Sequence, residues 1–264
     1  MFASYLLNSW IAATLVAIIS GLVGFFVIMR RDTFAAHALP LCAFPGAAVA
    51  SLIGIAPILG TIAFAGLGVL GIQSFKQRQR NEVATALTLT MLLGMGTLFL
   101  SLSSQYSQHV YALLFGDILS VSSADLASLA VVVFFVIAVF GLWFRVFLLS
   151  AIAPDLAKVA GIPTARIEIL SLAILGLATA IALPIVGALL VFSLIVGPAS
   201  AARVLTNQPE KAVLLSITLA IFTIWSSLAL SYHTNWPVGF FVGCFGAISY
   251  SLGRGYSSRS ARLA

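Results

Sequence analysis

Thirteen Lys and Arg residues punctuate this 264-residue chain, and every one falls beyond, or in the case of Arg145 just inside, the end of every second long apolar block. The blocks run roughly over residues 6–29, 38–53, 58–72, 84–102, 126–148, 167–182, 186–202, 212–230 and 238–252. Arg30 and Arg31 follow the first; Lys76, Arg78 and Arg80 the third; Arg145, Lys158 and Arg166 the fifth; Arg203 and Lys211 the seventh; Arg254, Arg259 and Arg262 the ninth. About 20 apolar residues cross a bilayer core, and backbone groups inside it must be paired within the segment. The pattern therefore predicts an all-α polytopic integral membrane protein of about nine transmembrane helices. Basic residues gather on the cytoplasmic side, which predicts an outside N-terminus and a cytoplasmic C-terminus. Blocks 38–53 and 58–72 are short enough to be re-entrant instead, and two crossings or none satisfy the same charge pattern. The count falls to eight if one short block is re-entrant or broken.

Charged residues make up only 8% of the chain and hydrophobic ones 61%, against about 25% charged in a soluble domain. The net charge of +6 does not point to nucleic acid, because no basic patch is interleaved with aromatics and placement matters more than sign in so apolar a chain. Met1 to Trp10 holds no Lys or Arg, so the first block lacks a cleavable signal's positive region and is expected to remain a span. Residues 167–202 as one helix would measure about 54 Å against about 30 Å of hydrocarbon, so a break is expected near Pro184 and Gly187. Cys42 and Cys244 sit in apolar blocks as small hydrophobes, with no CxxC spacing. No Walker A loop, GxGxxG, HExxH or Ser/His/Asp arrangement occurs, which argues against an enzyme. One transmembrane domain over 1–252 is expected, with a basic tail over 253–264.

Small residues recur within the blocks, as at Gly66, Gly68, Gly71 and the GxxxG pair Gly239 and Gly243, and read as ordinary helix packing. The segments expected outside carry His109, Asp117, Asp125 and His233 and no base. One stretch, residues 150–163, differs from the rest: a short polar-edged helix between two apolar blocks. Pro154 suits a first helical position, Asp155 complements the helix dipole, and Gly161 followed by Pro163 ends it. About two turns are too short to span a bilayer. The segment is either a connector or a docking helix.

Three stretches now stand in order: Leu114-Phe115-Gly116-Asp117-Ile118-Leu119 with Ser120-Val121-Ser122; Pro154-Asp155-Leu156-Ala157 through Gly161; and Val186-Gly187-Ala188-Leu189-Leu190-Val191 running to Pro198-Ala199-Ser200-Ala201-Ala202-Arg203. Together they resemble the zinc/manganese-type ABC transporter permeases. Arg30-Arg31 with Phe34, Pro45-Gly46, and Pro237 with Gly239 extend the likeness over nearly the whole chain. The resemblance implies a type II importer-like permease working as a homodimer in a bacterial cytoplasmic (inner) membrane. A separate cytoplasmic ATPase would dock on residues 153–161, with Pro154, Asp155, Leu156, Ala157 and Gly161 forming the site and Ala157 at its surface. A periplasmic or lipid-anchored binding protein would deliver substrate at the outer face, where Leu114, Phe115, Gly116 and Asp117 lie. The partner would use the ATP, a divalent metal would be cargo, and no cofactor would be covalently bound.

The chain departs from the family at the pore. The family's helix ahead of Pro-Gly carries an Asp and, four residues later, a His, which places two ligands on one helix face. Here those places hold His37 and Leu41. His37 is then either a pore ligand, as intramembrane ionisable residues commonly are, or a packing residue bonded to a neighbouring helix. Two other readings follow: the same machinery adapted to a metal chelate or small solute, and a stand-alone secondary transporter, which would favour midplane charges and inverted repeats.

Overall fold

The computed structural model describes residues 4–76, 81–102, 116, 118 and 121–263. Among these, eleven helices follow one another: α1 (Ser4–Arg30), α2 (Thr33–Ile53), α3 (Pro57–Lys76), α4 (Asn81–Ser101), α5 (Ser123–Leu142), α6 (Phe144–Ile152), α7 (Pro154–Val159), α8 (Thr164–Val186), α9 (Ala188–Leu205), α10 (Pro209–Thr234) and α11 (Val238–Leu263). Six of them, α1, α2, α3, α5, α8 and α10, are long and apolar enough to cross a membrane. Shorter apolar stretches, Thr85–Phe99, Leu190–Leu205 and Val238–Arg254, lie on α4, α9 and α11. With 21 and 20 residues, α2 and α3 each reach about 30 Å, enough to cross singly.

The break in the long apolar run falls at Gly187, whose φ of 88° is one that glycine adopts without strain. Pro184 stays inside α8. One boundary differs from expectation: the block at 126–148 is divided at Trp143 into α5 and α6. The last helix continues past residue 252 to Leu263.

Contacts between helices fix their directions. Gly21 of α1 packs on Ile217 of α10, Thr14 accepts a hydrogen bond from Trp225 Nε1 at 3.0 Å, and Trp10 meets Trp225 edge to face. Those two helices are therefore antiparallel. By the same reasoning α2 and α3 are antiparallel, because Gly46 meets Gly60 and Cys42 meets Gly68. In contrast α9 and α11 run parallel, pairing Leu190 with Gly239 and Gly197 with Gly246. An inner layer of α1, α2 and α8 is mostly buried, and α3, α5 and α10 surround it with apolar outward faces. Leu70, Phe134, Leu142 and Phe222 are among those exposed side chains, the composition a lipid-facing surface requires.

Association inside a bilayer draws little on hydrophobicity, since lipid is as apolar as the side chains, and rests on close packing and hydrogen bonds. The chain uses both. A Cβ at Gly46 or Gly60 would run into the other's carbonyl oxygen, and Ser216 Oγ donates to Gly21 O at 2.7 Å across a buried seam. At the α5–α6 corner Phe26 stacks on Phe140 with centroids 4.3 Å apart, and Phe147 packs edge to face on both. Such pairs add about 0.5–1.5 kcal/mol each beyond area burial.

Candidate functional site

The short helix α7 forms as its sequence directs. Pro154 takes the first helical position, and Gly161 has φ of 76°. Gly161 N donates to Lys158 O at 3.0 Å and Ile162 N to Ala157 O at 2.9 Å, the paired bonds of a Schellman ending, which satisfies carbonyls otherwise left open. Asp155 and Lys158 form an exposed ion pair at 3.2 Å.

The expected surface position of Ala157 is corrected here. Ala157 is 0% exposed, while Leu156 is 65% and Val159 88% exposed. The reason is geometric: α7 lies on α6 and α8, and the small side chain lets the helix sit close to them. The face offered outward is apolar at its centre and charged at its edge.

His37 lies on α2, half-buried, with its ring edge to face on Phe192 of α9 at 4.8 Å. Four residues on, Leu41 packs against a second apolar cluster that includes Ala43, Phe44 and Leu183. Pro40 and Pro45 lie inside the same helix, so the carbonyls of Ala36 and Leu41 lack their usual donors four residues on. Among the described residues, no three His, Cys, Asp or Glu side chains cluster as metal ligands would.

At the opposite end of the bundle, two of the sequence motifs meet. Gly116, with φ of 74°, lies with its backbone against Val186 and Gly187; a Cβ there would collide with the Val186 carbonyl carbon and stand 2.6 Å from the Gly187 nitrogen. Leu114, Phe115 and Asp117 lie outside the described residues. Nearby, Ser122 caps α5 in a reciprocal box with Asp125: Asp125 N donates to Ser122 Oγ at 3.2 Å, and Ser122 N to Asp125 Oδ2 at 3.1 Å. Its signal, Ser followed three residues later by an acid ahead of an apolar run, stood in the sequence. A cavity of about 320 Å³ opens beside it, lined by Pro57, Val121, Asp125, Ile181 and Pro184.

The sequence reading also passed over Asp32 and Glu168. Arg30 Nε lies 3.3 Å from Asp32 Oδ2, and Arg30 Nη2 lies 3.8 Å from Glu168 Oε1. No local pattern announces the Glu168 contact, since it joins α1 to α8.

Known proteins place this arrangement. The chain is 29% identical over 238 residues to the manganese transport system membrane protein MntC of Listeria monocytogenes, covering 89% of this chain and 85% of the relative. It is 27% identical over 238 residues to the high-affinity zinc uptake system membrane protein ZnuB of Buchnera aphidicola, covering 86% and 88%. The fold matches a chain of PsaBC from Streptococcus pneumoniae in complex with Fab with a TM-score of 0.87 at 24% identity, covering 96% of this chain and 91% of that one. The sequence of the ABC 3 transport family matches residues 3–250, nearly the full length, and the chain belongs to that family.

Proposed function

We propose that this chain is the membrane permease subunit of an ABC importer that carries a divalent transition metal, of the manganese or zinc class, into the cytoplasm. The observation that carries the reading is the family match across residues 3–250; relatives named for manganese and zinc uptake support the cargo. Nine crossings are supported by six long apolar helices with three shorter ones, and an inside C-terminus by the grouping of all bases at the end of every second apolar block. The membrane is the bacterial inner membrane, and two copies form a homodimer.

A separate ATPase uses the ATP and docks on α7. Leu156 and Val159 supply its apolar contact, Pro154, Asp155 and Gly161 shape the helix, and Ala157 seats it. A binding protein loads the far end, where the Leu114-Phe115-Gly116-Asp117 segment lies. His37 is the pore ligand, contributed once by each copy. One imidazole per copy gives a weak site, which suits a conduit, since an ion that enters must also leave.

Leu41, standing where the family has a second ligand, favours one alternative cargo: a metal chelate or other small solute. The test is uptake of radiolabelled manganese and zinc into proteoliposomes holding the permease with its ATPase. His37→Ala should lower the transport rate per folded molecule while leaving folded yield unchanged; an unchanged rate ends the ligand assignment. Failure of both free ions with the native protein, alongside ATP hydrolysis stimulated by a chelate, selects the alternative.

A further inference from the structure

The helix read as the docking site and the helix that carries His37 are not neighbours in sequence, and one charged cluster joins the root of the second to α8, the helix that follows the first. Arg30 ends α1, and its side chain is only 10% exposed. It reaches Asp32 at 3.3 Å and Glu168 at 3.8 Å with two different nitrogens, while the third, Nη1, is buried without a hydrogen-bond partner. Asp32 is the residue just ahead of α2, at its N-cap, and its carboxylate caps none of α2's free N–H groups; it faces Arg30 instead. Arg31 between them has φ of 62°, which folds the connection into a single tight step.

Glu168 stands about one turn into α8, and α8 follows α7 after a closed connection. Ile162 N donates to Ala157 O, Thr164 N to Ile162 O, and Ile167 N to Pro163 O. A displacement of α7 therefore carries the first turns of α8, and Glu168 with them. A guanidinium holds two carboxylates in a fixed fork, which an ammonium does not. Ion pairs add little net stability even where they are half-buried, as these are, and setting registry or switching state is the best-attested use of pairs withdrawn from water.

We propose that Arg30 is a positioning residue for transport, a strut that passes movement of α7 through Glu168 to Asp32 at the root of the helix carrying His37. The inference rests on the reading of α7 as the ATPase docking helix. The unequal distances assign the parts. Asp32 holds the guanidinium, Glu168 makes the looser contact that a shift of α8 tightens or breaks, and Nη1 is the donor in reserve for the shifted carboxylate.

The test uses the full permease with its ATPase in proteoliposomes and reads metal transported per ATP hydrolysed. Glu168→Gln keeps the shape and removes the charge. The ATPase should still co-purify and hydrolyse ATP within about twofold of the native rate, while metal moved per ATP falls about tenfold, in the range of ordinary coupling energies. Arg30→Lys, which keeps the charge and loses the fork, should give an intermediate ratio. An unchanged ratio in Glu168→Gln overturns the strut, and so does a lower folded yield with an unchanged ratio per folded molecule. Should Glu168→Gln fail to fold, a native ratio in Arg30→Lys overturns it. A native chain that captures no ATPase instead overturns the docking reading and takes the strut with it.

Discussion

The two ends of the bundle are built from different materials. At the Arg30 end, separate elements meet through side chains: an arginine between two carboxylates, an ion pair along α7, and the stacked rings of Phe26 and Phe140. At the Gly116 end side chains also join α1 to α10, Trp10 and Thr14 on Trp225, but Gly116 itself lies backbone on backbone, seated on the Val186–Gly187 break. Side-chain contacts can lengthen, shorten or exchange partners while the helices stay intact. A backbone contact has no such slack, because packed interiors yield little. The difference teaches that the Arg30 cluster leaves room for its helices to shift, and that the Gly116 contact leaves none.

The comparison breaks most sharply at Gly116. Its added Cβ meets Val186 and Gly187 at a positive φ, so Gly116→Ala should cost more than about 3 kcal/mol through overpacking and backbone strain. Size-exclusion profiles and thermal melting in detergent measure this; a monodisperse variant that melts as the native protein does would show slack where none is expected.

A smaller effect, on association alone, is expected at the other end. Leu156→Glu with Val159→Glu places two charges on the exposed face of α7 and should weaken ATPase binding by about 2–4 kcal/mol, as loss of an apolar hot spot does. Folding of the permease should be unaffected. Titration of the purified ATPase onto permease in nanodiscs reads the affinity, and native binding by the double variant would remove α7 as the docking face.

The smallest change sharpens the comparison. The Asp155–Lys158 pair is exposed, and Lys158→Ala should shift stability by no more than about 0.5 kcal/mol, the usual worth of a surface pair. Differential melting checks it. A larger loss would mean that every charge at this end bears on the fold, and not the half-buried Arg30 alone.

Much of the architecture was legible in the sequence because hydrocarbon thickness disciplines it. Eight of the nine apolar blocks each correspond to one helix, the fifth being divided over two, and the Gly187 break follows from a run too long to be one span. The Gly161 stop was equally legible, being local backbone chemistry. The Trp143 break was not. Twenty-three apolar residues read as one span, and the corner depends on Phe140 and Phe147 closing over Phe26 of α1, a tertiary contact.

The same reason accounts for the misplacement of Ala157. Six helical residues are too few to show a period, and the packing of α6 and α8 decides which side is covered. Among small residues, the pattern misled in part. Gly243 has nothing within 4 Å, whereas Gly46, noted only beside Pro45, closes on Gly60. Spacing along one helix does not reveal what the facing helix brings. His37 was legible as an unusual intramembrane residue, but its neighbour Phe192 was not.

The closed ending of α7 bears on how a partner would be captured. A free six-residue peptide would pay to become helical, yet here the Pro154 start, the bonds at Gly161 and Ile162, and the seat under Ala157 hold that shape before any partner arrives. Little ordering entropy is then left to spend on encounter. If α7 is the docking helix proposed above, it would meet its partner as a rigid body, and the speed of assembly would depend on collision and orientation rather than on a folding step.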